Sequence, residues 1–416
     1  MFNIFDDDIF SFDNLYRAYL DCRRNKRSTA NAIKFEWNWE ENLIELQQEL
    51  RSKTYTPGRS ICFAVDKPAL REIFAADFRD RVVHHLLVRQ IEFYGERTFI
   101  YDSFSCRVGK GAHLAIERLK KFYAKASANY SSPVFYAQMD ISGFFMNIDH
   151  YILFSIFKKF INKQKRSDKW KEDLLWLGRV IIFHKPTENY IIKGDRKILE
   201  KIPPRKSLFN GCPNKGLPIG NYSSQFFSNL FLNELDQFAK RELACRYYLR
   251  YVDDFIVLDQ DELRLKKISK KINIFLRNHL NMNLNPTKTK IRPMSQGVNF
   301  LGYVVKEKYV LARKKVVLNF KNKLEVIRNN NLDIKQDPLQ AINSESSVLN
   351  SYLGHMRKAN SFGLRRDFWE KYLVSNRKEF RIIGGYIVIQ VKKDYLNLYA
   401  RKTLSNVFLD FVLAPD

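Results

Sequence analysis

Three aspartates carry the first chemical signal in this chain. Asp140 closes an apolar run, VFYAQMDI (134–141), and Asp253 and Asp254 sit side by side in YLRYVDDFIVL (248–258). Carboxylates set among Val, Ile, Phe and Tyr are costly unless neutralised, and adjacent ones repel each other. A divalent cation resolves both problems, and an all-oxygen donor set favours Mg²⁺ or Mn²⁺. The ordinary alternative is that Asp253-Asp254 is hairpin-turn chemistry and Asp140 a local cap.

The elements that would position these groups follow from the pattern around them. Residues 134–141 read as a strand, followed by Gly143 and a helical stretch, and 246–258 as two strands around a tight Asp-Asp turn. Residues 1–56 look helical, with apolar residues at helical spacing in FDNLYRAYLDCRR and NLIELQQELRSK. SICFAV (60–65) reads as a strand and DRVVHHLLVRQIEFY as a helix. Residues 158–216 are predicted to hold a helix, a hairpin formed by VIIFH and NYIIK, and a long loop. Phe227, Phe231, Leu235 and Phe238 mark one face of a helix over 223–243. A helix at 262–280, an Asn-Pro turn at 285–286 and strands near 288–292 and 298–311 follow. Basic helices then fill 312–378, and GGYIVIQV near the end reads as a strand. The fold class is α+β.

Composition narrows the partners. The 416 residues suggest two or three domains, or one large domain with appendages. With 45% hydrophobic residues, 33 Phe and 21 Tyr among them, a sizeable core is available and wholesale disorder is excluded. Lys and Arg total 71 against 45 Asp and Glu, a net charge of +26 spread along the chain. That excess points to a polyanion, nucleic acid ahead of a membrane surface. The five cysteines form no CxxC pair and read as reduced thiols. The N-terminus is acidic where a signal peptide is basic, and no apolar run spans a bilayer. A cytoplasmic protein with no membrane partner is expected. No GxxxxGK[ST] or GxGxxG motif is present, which argues against a P-loop ATPase or a dinucleotide enzyme. The seven histidines lack metal-ligand spacing, and His84 and His85 read as packing or surface residues.

From about residue 60 to about 370 the order of segments resembles a reverse transcriptase of the group II intron-related branch. The fingers pattern is similar to Val65-Asp-Lys-Pro-Ala-Leu-Arg71 through Arg79, then Ser103-Phe-Ser-Cys-Arg107-Val-Gly-Lys110-Gly-Ala-His113. The palm is similar to Met139-Asp-Ile-Ser-Gly-Phe-Phe145 and Tyr251-Val-Asp-Asp254. Further matches are Leu284-Asn-Pro-Thr-Lys288-Thr-Lys290 and Phe300-Leu-Gly-Tyr303, and a thumb-like SSVLNSYLGHMRKANSFGLRR (346–366). Leu217-Pro-Ile-Gly-Asn-Tyr-Ser-Ser-Gln225 resembles the pattern of diversity-generating retroelement enzymes, and related antiphage-defence enzymes carry similar spellings.

The resemblance implies a right-hand polymerase fold. It assigns an N-terminal helical region (1–58), fingers (59–133), a palm (134–311) with a basic insertion (158–216), a helical thumb (312–378) and a C-terminal extension (379–416) without a match. It implies attack of a primer 3′-hydroxyl on the α-phosphate of a deoxynucleoside triphosphate, with two Mg²⁺ ions, Mn²⁺ being possible. Asp140, Asp253, Asp254 and the Ile141 carbonyl are the implied metal ligands, and Lys288 the proton donor to pyrophosphate, with Lys290 as the alternative. Lys67 and Arg71 would grip the triphosphate and Phe145 would exclude a ribose 2′-hydroxyl, unless it is a core Phe beside Phe144. Ile219, Gly220 and Gln225 would border the template–nucleotide pair, although capping alone would explain the neighbouring Asn221 or Ser223. Arg79, Arg107, Lys110, Phe300, Gly302, Lys314 and Lys315 would contact nucleic acid. The implied partners are a dedicated template RNA, the cDNA product, dNTPs and an accessory protein. Three functions compete: a retroelement polymerase, a defence polymerase that works from a non-coding RNA or without a template, and an RNA-binding scaffold that no longer polymerises.

Overall fold

A computed structural model describes residues 7–24, 29–66, 69–330, 337–373 and 377–399. The chain divides into two compact units: Met1–Ala115 with Phe135–Arg292, and Ile116–Val134 with Pro293–Asp416. The mixture of helices and antiparallel strands is the α+β class expected.

The first unit begins with α1 (Phe12–Arg23), α2 (Ala30–Trp37) and α3 (Trp39–Arg51), then β1 (Ser60–Val65), β2 (Arg71–Ala75) and α4 (Phe78–Thr98). After α5 (Ala112–Ala126), most of which belongs to the second unit, come β3 (Phe135–Asp140), the short α6 (Phe144–Asn147), α7 (His150–Asn162) and α8 (Asp168–Ile182). Then follow β4 (Tyr190–Ile192), α9 (Arg196–Glu200), α10 (Tyr222–Gln237), β5 (Tyr247–Tyr251), β6 (Asp254–Asp259), α11 (Glu262–Leu280) and β7 (Lys290–Pro293). The central sheet has the order β5-β6-β3-β7. Its inner strand β6, DFIVLD, buries four consecutive residues, which is why it reads as an unbroken apolar run and does not alternate.

The predicted hairpin of residues 180–193 does not form. Trp170, Leu174, Leu177 and Ile181 are buried at helical spacing, so the β-branched run VII continues α8. Tyr190–Ile192 instead pairs parallel with β1, Ser60 opposite Tyr190. Helix α10 is also more enclosed than one apolar face requires. Ser223, Ser224, Ser228 and Asn229 are buried along with Phe227, Phe231 and Leu235, while Phe238 is only partly buried and stacks on Phe275 at 4.2 Å. A helix hydrophobic or satisfied all round belongs to a core, and α10 is a central element of this unit.

In the second unit β8 (Val298–Phe300), β9 (Tyr303–Val305) and β10 (Val310–Ala312) form a three-stranded sheet. Helices α12 (Lys314–Asn329), α13 (Pro338–Met356) and α14 (Phe362–Phe368) follow, then the hairpin of β11 (Phe380–Ile383) and β12 (Val388–Val391). Phe320, Leu324 and Ile327 at i, i+4, i+7 share one core with Leu349, Leu353, Phe380, Ile389 and Tyr399. Asn350 fastens the hairpin to α13, donating to the Ile389 carbonyl and accepting from the Ile389 N–H, both at 2.8 Å. The segment without a family match thus contributes core residues to the helical unit. Among the described residues no helix is long and apolar enough to cross a membrane.

Candidate active site

The sheet register brings the three aspartates to one edge of the first unit. Asp140, the last residue of β3, lies directly opposite Asp254, the first residue of β6. Asp253 occupies the two-residue turn that joins β5 to β6. The Gln138 amide donates to both Asp254 oxygens at 3.2 and 3.3 Å. Asp253 and Asp140 line a cleft of about 660 Å³, and Asp254 is not among its lining residues.

Burial, and then the Asp140 charge, pushes Asp253 up to about 6. Burial pushes Asp254 up to about 7, against the Gln138 hydrogen bond. Crowded carboxylates that hold protons this tightly are short of positive charge, and their donors are all hard oxygens, so the residues present fit a divalent cation of the magnesium kind. Among the described residues, however, no three His, Cys, Asp or Glu side chains draw together closely enough to form a ready metal cage. The cation that Asp140 holds here is the Lys288 ammonium, 2.7 Å from Oδ2.

The turn itself is strained and pinned. Val252 sits at φ +54°, a left-handed conformation that a β-branched residue rarely adopts. Its carbonyl accepts from Arg250 Nη1 at 3.0 Å. Arg250 and Asp236 are 1% and 0% exposed and joined by two hydrogen bonds, Nε to Oδ1 at 2.8 Å and Nη2 to Oδ2 at 2.7 Å. Tyr248 donates to the same Asp236 Oδ1 at 2.7 Å, and Arg250 Nη2 also reaches Ser103 Oγ at 3.2 Å. Sequence reasoning missed this network. Its signal was present, since an arginine inside YYLRY is as costly as the aspartates beside it.

Other expected residues divide by their surroundings. Arg71, Ile141, Phe145, Ile219 and Lys288 line the same cleft as Asp140. Phe144 takes the core position and Phe145 the cleft wall, their rings T-shaped at 5.2 Å. Lys290 is exposed on β7 and does not line the cleft. Gly220 and Gln225 do not line it either. Gly220 has φ +127°, and a Cβ there would lie 2.8 Å from Ile73 Cγ2, so glycine lets this turn press against β2. Asn221 does not cap α10; its Oδ1 accepts from the Ala76 N–H at 2.9 Å. Lys67 lies outside the described residues.

The residues expected to contact nucleic acid differ in how far they are engaged within the protein. The Arg107 side chain is 4% exposed and is spent on Glu96 and the Ile100 and Ser103 carbonyls. Arg79 pairs with Glu49 and Asp80 and lies over Tyr55. Phe300 is 1% exposed and faces the core. Leu301 and Gly302, at φ +48° and +86°, make the tight turn between β8 and β9, and a Cβ on Gly302 would meet the His355 ring at 2.8 Å. Lys110 donates to the Tyr101 carbonyl and sits 3.3 Å over that exposed ring. Lys314 and Lys315 are exposed at the start of α12. Sequence reasoning also missed Asn285, read only as a turn residue. Its N–H donates to the Asp140 carbonyl at 2.7 Å and its amide lies 3.4 Å from Asp140 Oδ1. Arg205 and Lys206, inside the basic insertion, line the cleft as well.

Residues 65–305 match the family model described as reverse transcriptase (RNA-dependent DNA polymerase), and the chain belongs to that family. It is 23% identical over 337 residues to the group II intron-encoded protein LtrA of Lactococcus lactis subsp. cremoris, covering 71% of this chain and 55% of that protein. It is 24% identical over 292 residues to protein YkfC of Escherichia coli (strain K12), covering 62% of this chain and 69% of that one. The chain therefore spans little more than half the length of LtrA. Apo telomerase from Candida tropicalis, truncated from its C-terminal domain, aligns at 12% identity with a TM-score of 0.46, over 64% of this chain and 59% of that one. The right-hand polymerase fold expected from the motifs is the fold of this family.

Proposed function

We propose that this chain synthesises DNA on a dedicated structured RNA. The observation that carries the reading is the register of β3 and β6, which sets Asp140 opposite Asp254 with Asp253 in the turn between β5 and β6. Asp140, Asp253, Asp254 and the Ile141 carbonyl would hold magnesium, which supplies Lewis-acid activation of the primer 3′-hydroxyl and charge neutralisation at the phosphates. Arg71 orients the triphosphate from the mouth of β2 as a planar guanidinium suited to phosphate oxygens. Phe145 fills the wall where a 2′-hydroxyl would project. Lys288, already 2.7 Å from Asp140, is placed to give its proton to the departing pyrophosphate. The exposed Lys314 and Lys315 bind nucleic-acid phosphates without reading sequence.

The segment 217–225 supports a place in a diversity-generating retroelement, with an accessory protein. The intact aspartates argue against a scaffold that has lost polymerisation. Purified protein given an RNA template, a DNA primer, dNTPs and Mg²⁺ is expected to extend the primer and to stop when EDTA is added. No extension on any RNA template would overturn the reading. Sequencing the nucleic acid that co-purifies separates the biological settings. A repeat-derived RNA with matching cDNA supports the retroelement, whereas an unrelated non-coding RNA favours a defence polymerase.

A further inference from the structure

The basic insertion was expected to hold a long loop, yet part of it reaches the cleft. A single turn of 3-10 helix, Pro204–Lys206, presents Arg205 and Lys206 on the cleft wall. Both side chains are exposed, and among the described residues neither has a hydrogen-bond or ion-pair partner. Their backbone is firmly held. Glu72, 3% exposed on β2, accepts from Ser207 Oγ at 2.6 Å and from the Leu208 N–H at 2.7 Å. The Pro203-Pro204 pair restricts the chain just before the turn. A Cβ on Gly143, at the start of α6, would lie 3.6 Å from the Arg205 carbonyl, so the turn rides close beside the Phe144–Phe145 segment.

Glu72 follows Arg71, and side chains of consecutive strand residues point to opposite faces. One buried carboxylate thus ties the Arg205–Lys206 turn to the strand that carries Arg71. The outcome is a cleft lined by two carboxylates, Asp140 and Asp253, and four cations: Lys288, which Asp140 already holds, and Arg71, Arg205 and Lys206. A volume of about 660 Å³ suits a nucleotide-sized ligand. Two unpartnered cations on a fixed backbone suit a polyphosphate, for which arginine supplies a bidentate fork.

We propose that Arg205 and Lys206 bind the polyphosphate of the incoming nucleoside triphosphate, and that Glu72 is the positioning residue that holds them there. The identity of the ligand rests on the polymerase reading; the anion site itself does not. Two measurements separate them: calorimetric binding of inorganic tripolyphosphate, and steady-state dNTP incorporation on a primed RNA. In the Arg205→Gln/Lys206→Gln double variant, tripolyphosphate affinity falls and the KM for dNTP rises, each at least roughly tenfold. The loss falls on KM far more than on kcat, and primer–template affinity stays within about twofold of wild type. Arg205→Lys recovers part of the loss. Ser207→Ala and Glu72→Gln shift KM in the same direction by less, and circular dichroism shows whether the buried Glu72 variant still folds.

An unchanged KM and unchanged tripolyphosphate affinity would overturn the proposal. So would an unchanged KM with weakened primer–template binding, which would reassign both residues to the nucleic-acid backbone. Variant-sensitive tripolyphosphate binding in a protein that makes no DNA would uphold the anion site while removing the polymerase reading.

Discussion

Two ion pairs flank the turn at Val252–Asp253 and differ in almost every respect. Arg250–Asp236 is bidentate, desolvated on both sides and further satisfied by Tyr248 and Ser103. Lys288–Asp140 is a single contact in which the lysine side chain is 61% exposed. The first has no solvent-facing part and is a permanent strut that holds the Val252 carbonyl. In the second the carboxylate is 13% exposed while the ammonium lies largely in solvent, so the pair is held less firmly and its ammonium is the group a stronger cation would displace. Scaffold and reaction site are thus built from the same chemistry, and burial decides which pair is fixed and which exchanges.

The largest effect is expected at the strut. Arg250→Ala strands Asp236 without its partner and should cost about 3–5 kcal/mol of stability. Chemical denaturation measures it, and a loss under about 1 kcal/mol would mean that the pair is not a strut. At the exchangeable pair, Lys288→Met should cost less stability than Arg250→Ala, because the ammonium removed lies largely in solvent. It should lower kcat on the order of 10²-fold or more if the ammonium delivers a proton. A change confined to KM would make Lys288 a phosphate ligand only.

Phe145→Ala tests the cleft wall. Ribonucleotide incorporation relative to deoxyribonucleotide should rise roughly tenfold or more, since a filled pocket discriminates by steric bulk. Unaltered sugar selectivity would return Phe145 to a packing role. The last effect lies away from the site and is absent at neutral pH. Burial pushes His84 down to about 3, its Nδ1 lying 2.7 Å from Ser223 Oγ. The unfolded chain takes up a proton below about 6.5 that the folded chain refuses. This residue's contribution is therefore complete above that pH and is lost as pH falls toward 3, by up to roughly 1.4 kcal/mol per unit. His84→Asn should flatten the wild-type loss between pH 7 and pH 5; equal losses in both proteins would place the dependence elsewhere.

The aspartates were legible because a carboxylate in an apolar strand is conspicuous, and the strands themselves because their apolar runs end at Asp-containing turns. Their register was not, since only pairing brings Asp140 against Asp254. The Val-Ile-Ile run of α8 misled because β-branched residues favour strands, whereas four buried positions at helical spacing overrode that preference. Arg107 and Phe300 were read as ligands of nucleic acid, but sequence does not reveal that a Glu96 or a core pocket has already claimed them. Arg205 and Lys206 escaped notice within a generally basic stretch, because only the Glu72 anchor distinguishes them from solvated charge.

The most direct test of the account is single-turnover incorporation of one dNTP on an RNA template by Asp253→Asn, with primer–template affinity measured on the same sample. Incorporation should fall by at least about three orders of magnitude, the scale on which removal of a key electrostatic stabiliser acts, while binding stays within about twofold. Incorporation at the wild-type rate would contradict the assignment of the reaction to the turn at residues 252–253.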